Sequence, residues 1–338
     1  MKNQRVLIIG ALVVLAVAAF FFSQKQTKVS DIKVGIILGF TGPIESLTPD
    51  MASGAELAFK EATDSGELLG GANIIPVRAD STCVDSAAAS TAAEDLIAQG
   101  IVAIMGADCS GVTGAIASNV AVPNGVVMVS PSATSPALTD LDDNGLFFRT
   151  APSDARGGEV LADITKDNGV SSVAITYVNT DYGVGLADVY KAALEAHGIT
   201  VTTTTAHEGD KADYSAEVGV LSSAGGDALA VLGYLDQGGN QIIQGSLDSG
   251  AFDTFVLSDG MIGDSLTDTF GSDLDKSFGS MPGSLGEGAQ MFAKYAEENG
   301  VNPSVYVGES YDAAALIVLA MQAGESTDKS SIASNIMD

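Results

Sequence analysis

The stretch 105–136, MGADCSGVTGAIASNVAVPNGVVMVSPSATSP, decides how the rest of the chain is read. It follows on from a short apolar run, 101–105, that fits a buried strand. Residues 110–121 carry small and apolar side chains at helical spacing and open on a hydroxyl, Ser110. Residues 126–130 form a second buried strand, and 131–136 is a turn rich in hydroxyl groups. Strands this apolar, separated by a helix, belong to a parallel sheet covered on both faces. Polar residues follow both strands, so they gather at one sheet edge. We read that edge as one jaw of a small-molecule site.

The alternation extends in both directions. Upstream, 32–38 and 73–78 read as strands, and 51–62 and 85–99 as helices, the latter ended by Gly100. Residues 146–150 are a further extended piece. Pro152-Ser153-Asp154 then starts a second run of the same kind. Helices are expected at 155–166, 183–197, 214–224 and 238–249, and strands at 172–178, 200–205, 228–233 and 254–258. The fold class is α/β: two doubly wound parallel-sheet lobes that face each other across a cleft. Residues 260–284 are rich in Asp, Gly and Ser but hold no D-x-D-x-D-G calcium loop, and read as a solvated loop with a short helix. Helices follow at 286–299 and 310–323. A new helix begins near 331, which suggests that the sequence is truncated.

Composition excludes several functions. The formal net charge is −28, and residues 1–28 hold four of the 15 basic residues and no acidic one. The remainder, 11 basic against 43 acidic residues, repels phosphate backbones, so nucleic acid is not a partner. Lys2 and Arg5 precede an unbroken apolar run, 6–22, in the manner of an export signal or an uncleaved N-terminal anchor. The body of the chain is therefore expected outside the cytoplasm. The two cysteines, Cys83 and Cys109, suggest a bridge in such a compartment. With only His197 and His207 besides, no zinc-like spacing exists and no metal is expected. No G-x-S-x-G, Walker A or G-x-G-x-x-G after the first strand is present, so neither an enzyme nor a nucleotide cofactor is expected.

The candidate site residues each follow a strand. Cys109-Ser110-Gly111 stands where a strand meets a helix, and its amides and hydroxyl suit a carboxylate; Ser110 reads equally as a helix cap. Ser132, Ala133 and Thr134 offer hydroxyls and carbonyls at the same edge, where turn chemistry is the plainer alternative. In the second half Tyr182, Tyr234 and Asp259 each lie just past a strand. Each tyrosine alone reads as an edge packer. Together they make an aromatic wall and a carboxylate opposite a carboxylate-binding nest, an arrangement that suits a zwitterion.

The chain resembles the solute-binding proteins of branched-chain amino-acid ABC transporters, the leucine/isoleucine/valine type with the type I periplasmic binding fold. The resemblance runs from Ile32 to about Ala323. It is carried by Gly39 to Pro43, the Cys83 and Cys109 pair, SPSATSPALT at 130–139, and Phe148-Arg149-Thr150. Asp181-Tyr182-Gly183, Asp213-Tyr214-Ser215, Gly233-Tyr234 and Tyr311-Asp312-Ala313 continue it. It implies a disulfide between Cys83 and Cys109, and a ligand carboxylate on Ser110 and its amides with help from Thr134. It also implies an ammonium on the Ser132 carbonyl, the Thr134 hydroxyl and Asp259, with Tyr182 and Tyr234 closing over the ligand. The sequence departs from the family at Leu47, near where an aromatic is common, and at Asp259, where Glu is usual. The family's last strands, which return to the second lobe, are missing.

The resulting expectation is a monomeric periplasmic protein that hands a small amino acid to an ABC permease. Its lobes comprise 29–151 plus 282–338 and 152–281, hinged near Ala151 and Pro282. The rivals are a sensor ectodomain and a binder of urea or a short amide.

Overall fold

The structure, a computed structural model, describes residues 31–283 and 285–337. The expected export segment, 1–28, lies outside them. The first sheet contains β1 (Asp31–Leu38), β2 (Asn73–Asp80), β3 (Ala103–Gly106), β4 (Val127–Ser130) and β5 (Phe147–Arg149). All are parallel, in the order β2-β1-β3-β4-β5. Strand β1 shows why both faces must be covered. Successive side chains point to opposite faces, and both sets are apolar. Val34, Ile36 and Leu38 pack with Met51 and Phe59 of α1 (Thr48–Ser65). Ile37 packs in the core shared by Ala89 and Leu96 of α2 (Ser86–Ala98) and Ile116 of α3 (Ser110–Ile116). Each such side chain contributes roughly 1.5–3 kcal/mol by leaving water.

The second sheet repeats the plan. It holds β6 (Ser172–Val178), β7 (Thr200–His207), β8 (Ala228–Leu232), β9 (Phe255–Leu257) and β10 (Phe278–Gly279), again all parallel. Its order, β10-β9-β8-β6-β7, matches the first sheet strand for strand. Helices α4 (Asp154–Asp167) and α5 (Asp181–Ala196) cover one face through Leu161, Leu186 and Tyr190. The other face carries α6 (Ser215–Ala224), α7 (Asn240–Ser249) and α8 (Asp264–Phe270), with Val218, Leu221, Ile242, Ile243 and Phe270 in the core. The chain then returns to the first sheet. After α9 (Glu287–Glu298), α10 (Val307–Ala323) and α11 (Lys329–Asn335) bury Ala313, Ile317, Met321 and Ile332 in the core of β1 and α1.

Three differences from the sequence reading have local causes. Helix α1 starts at Thr48, because Pro49 in its first turn suits an N-terminus where no amide partner is needed. Residues 110–121 are helical throughout but widen into a π turn over Ala117–Ala121. The 260–284 stretch contains, besides a short helix, the two-residue strand β10, which its Asp- and Ser-rich composition conceals.

Cys83 and Cys109 form a disulfide with Cα atoms 5.2 Å apart. Thr82 and Cys83 take left-handed backbone conformations (φ 58° and 67°) that swing the loop after β2 over the end of β3. Removing the crosslink with Cys83→Ser and Cys109→Ser is expected to cost about 3–4 kcal/mol. Thermal unfolding followed by circular dichroism should then show a midpoint about 5–10 °C lower. An unchanged midpoint would mean that the crosslink does not constrain the unfolded chain.

Candidate ligand-binding site

The site is built where each sheet's strand order reverses, between β1 and β3 and between β6 and β8, at their carboxyl ends. On the first side a buried carboxylate, Asp108, gathers the loops. Its oxygens accept hydrogen bonds from Gly39 N (2.5 Å), Ser81 Oγ (3.0 Å) and Cys109 N (2.9 Å). The loops after β1, β2 and β3 are thereby fixed to one another. Burial raises the Asp108 pKa, and these three donors pull it back down.

Ser110 follows directly. The helix cap is Cys109 rather than Ser110, which is the first helical residue and makes no cap bond. The Ser110 hydroxyl instead accepts from Ser135 N at 3.1 Å, tying α3 to the hydroxyl-rich turn. Ser110 also helps to line the cavity. Within the turn, Ser132 Oγ donates to Asp108 O at 3.2 Å. Arg149 grips the turn from β5, with Nη1 donating to the carbonyls of Ala133 (3.1 Å) and Ser135 (2.8 Å). Its Nη2 donates to Thr139 Oγ1 at 2.6 Å. Ala133 is therefore a core residue behind the turn, fully buried, and lies outside the cavity lining. Thr134 does line the cavity; its buried hydroxyl meets no partner at ordinary hydrogen-bond distance but lies beside the Asp154 carboxylate, whose charged form it favours. An unsatisfied buried hydroxyl costs about 1–3 kcal/mol unless something in the cavity bonds to it.

The second side supplies Tyr182, Tyr234 and Asp259. Thr180 caps α5 by accepting from Gly183 N, which sets Tyr182 in the first turn. The Tyr182 and Tyr234 rings stack with centroids 5.1 Å apart and planes 30° apart. A Cβ at Gly260 would lie 2.4 Å from Gly233 O and 2.8 Å from the Tyr234 ring, so only glycine allows this approach. Asp259 accepts from Tyr182 OH at 2.5 Å on one oxygen and from Tyr306 OH at 2.5 Å on the other. Burial raises the Asp259 pKa, and the two phenols oppose that rise. In turn burial, then the Asp259 charge, hold the phenols of Tyr182, Tyr234 and Tyr306 well above their usual range.

Tyr306 escaped the sequence reading. It packs in the core of the first sheet, so its bond to Asp259 crosses the cleft. Its left-handed backbone (φ 64°) is rare for an aromatic residue and aims the ring at the cleft. The sequence around it, SVYVGES, carries no mark of this role. These groups line one partly open cavity. Ile44, Leu47 and Met51 form its apolar wall, and Asp108, Ser110, Ser132, Thr134, Tyr182, Tyr234, Asp259 and Tyr306 its polar one. Of the two histidines, His207 is buried against Thr176 Oγ1 (2.8 Å), and burial lowers its pKa to about 4. His197 pairs with Asp163 on α4.

Two doubly wound lobes that enclose a polar cavity between their switch points define a type I periplasmic binding fold, built to hold a solute. The chain belongs to the periplasmic binding protein family, whose match spans residues 31–337. Leu/Ile/Val-binding protein homolog 1 of Brucella melitensis is 30% identical over 313 residues, covering 90% of this chain and 81% of the relative. Homolog 3 of the same organism is 35% identical over 214 residues, covering 62% of this chain and only 56% of the relative. The leucine-binding protein LivK of Thermotoga maritima has a TM-score of 0.81 at 25% identity, covering 90% and 87% of the two chains. LivJ of Streptococcus pneumoniae, solved with isoleucine, shares the fold at 22% identity, with a TM-score of 0.79 and coverage of 91% and 88%. So does an R. palustris solute-binding protein in complex with 4-hydroxybenzoate, at 18% identity, with a TM-score of 0.77 and coverage of 90% and 84%. These relatives are solute-binding proteins and not enzymes. Among the described residues, no helix is long and apolar enough to cross a membrane.

The Tyr306 hydroxyl is the group to test for holding the cleft shut. A hydrogen bond to a charged group is worth about 1.5–3 kcal/mol. Tyr306→Phe should therefore lower the closed-to-open ratio about 10- to 100-fold without unfolding the protein. Small-angle scattering of the ligand-free variant should show a larger radius of gyration than wild type. Equal radii would show that the Asp259–Tyr306 bond does not govern closure.

Proposed function

We propose that this protein is the extracytoplasmic solute-binding component of an ABC importer, that it binds a small amino acid of the branched-chain kind, and that it delivers it to a membrane permease. The observation that carries this reading is the opposition of charge preferences across one small cavity. Ser110 and the buried Thr134 hydroxyl lie on one side and the Asp259 carboxylate on the other. A carboxylate finds hydroxyl donors at the first pole, and an ammonium finds an anion at the second. The wall of Ile44, Leu47 and Met51 suits an aliphatic side chain. The names of the Brucella relatives and the isoleucine held by LivJ point to the same class. An aromatic acid such as the one bound by the R. palustris protein has no ammonium to answer Asp259.

In this reading residues 1–28 direct export, 29–151 with 282–338 form the lobe that first receives the ligand, and 152–281 closes over it. Rotation occurs at the crossings near Ala151 and Pro282. Ser110, Ser132 and Thr134 bind from the first lobe, and Tyr182, Tyr234 and Asp259 from the second. The closed form is the species that the permease recognises, and the protein works as a monomer. Binding stabilises that form by an amount that grows with the logarithm of ligand concentration over Kd.

Thermal-shift measurements on ligand-stripped protein test this. Leucine, isoleucine or valine should raise the unfolding midpoint, and urea, acetamide and 4-hydroxybenzoate should not. Ser110→Ala and Asp259→Ala should each weaken amino-acid binding about 10- to 100-fold, the worth of a hydrogen bond to a charged group. Stabilisation by amides alone, or full affinity in both variants, would overturn the reading.

A further inference from the structure

Asp154 is a buried carboxylate at the cleft whose charge is answered only in part, by the neighbouring Thr134 hydroxyl and the Arg149 guanidinium. It opens α4, is only 4% exposed, and donates its backbone N–H to Thr134 O at 2.9 Å. Its Oδ2 is buried with no hydrogen-bond partner. It lines a second cavity, bounded by the hinge residues Pro152 and Pro282 and the apolar Leu161 and Leu186. Asp259 lines this cavity as well as the ligand cavity, so one carboxylate separates the two.

The groups facing this pair come from every element packed against it. Arg149 approaches from β5, but its guanidinium is committed to Ala133 O, Ser135 O and Thr139 Oγ1. Tyr182 and Tyr306 donate to Asp259, and Tyr234 lies against it. Asp108 adds a further buried carboxylate, already satisfied by three donors. One engaged guanidinium thus faces two neighbouring carboxylates in a buried part of the cleft. Two carboxylates sharing such a site do not both stay ionised; one keeps a proton or acquires a cation. Consistently, burial and then the Asp259 charge push the Asp154 carboxyl up to about 8.

We propose that Asp154 and Asp259 together form a site for one positive charge, occupied by a proton in the empty cleft and by the ammonium group of the ligand in the loaded one. The inference rests on the amino-acid reading above. The exchange balances simply. The zwitterion enters with no net charge, the O–H bond of the shared carboxyl breaks, and its proton passes to the buffer. Because the empty form holds the proton more tightly than the loaded form, affinity falls as pH drops below the value at which the empty pair titrates.

Isothermal titration of ligand-stripped, full-length protein with L-leucine tests this, repeated at pH 7 in buffers of different ionisation enthalpy. The expected result is release of close to one proton per leucine. Affinity should rise about tenfold per pH unit between pH 6 and 7 and level off above about 8. Asp154→Asn keeps the shape and the backbone bond to Thr134, and should bind leucine with no proton release and no pH dependence over that range. A merely structural role for Asp154 would leave the proton count unchanged. Leucine binding by the wild type without proton release overturns the proposal, whether or not the variant folds. So does affinity that follows sodium at constant ionic strength, with choline as the replacement cation, because a metal ion would then hold the site. Absence of heat from leucine, isoleucine and valine alike instead removes the amino-acid reading on which the proposal stands.

Discussion

The Asp259 carboxylate constrains the whole molecule. It is buried in a cleft wall, where a bare anion is costly, and its two oxygens are answered by phenols from opposite sides. Tyr182 comes from the same lobe and Tyr306 from the other. The bond to Tyr306 is therefore both a means of solvating the charge and a latch between lobes. Neutral donors lower the cost of burial without cancelling the charge. In the proposed reading the cleft thereby keeps a preference for a positive group, which makes it a selective site and not merely an apolar hole.

For that preference to act, the opposite pole must stay in place, and Asp108 together with the disulfide keeps it there. Asp108 binds the loops after three strands into one unit, and the crosslink between Cys83 and Cys109 locks two of them covalently. Arg149 then clamps the hydroxyl turn from beneath by its carbonyls. Ser110 and Thr134 consequently stand on a rigid rim. The buried Thr134 hydroxyl there has the Asp154 carboxylate beside it and no partner at ordinary hydrogen-bond distance. The matching strand order of the two sheets brings this rim opposite the tyrosines, because both lobes present their switch points to one cleft.

Much of this was legible in the chain. The apolar runs that became β3 and β4 showed a parallel sheet, since both faces of each strand are apolar. Placing Ser110, Thr134, Tyr182, Tyr234 and Asp259 just past strands required only that order. Groups whose roles arise from convergence were not legible. Tyr306 lies after the return crossing, far in sequence from the carboxylate it meets. Asp108 sat in the stretch first singled out, but two of its three donors, Gly39 and Ser81, come from loops that only the folded sheet brings to it. Asp154 looked like an ordinary helix-opening acid, and its surroundings depend on the cavity formed with Asp259, Leu186 and Pro282. Ala133 looked equivalent to its neighbours, because a turn sequence does not tell which carbonyl Arg149 takes.

The central claim is that the cleft selects a zwitterion by answering both of its charges at once. Calorimetric titration with three matched ligands tests it most directly: L-leucine, 4-methylpentanoic acid, which lacks the ammonium, and 3-methylbutylamine, which lacks the carboxylate. The account predicts that leucine binds at least about 100-fold more tightly than either, since each truncation leaves polar groups at one pole of the buried site without their ligand partner. Equal affinity for the deaminated acid would contradict it.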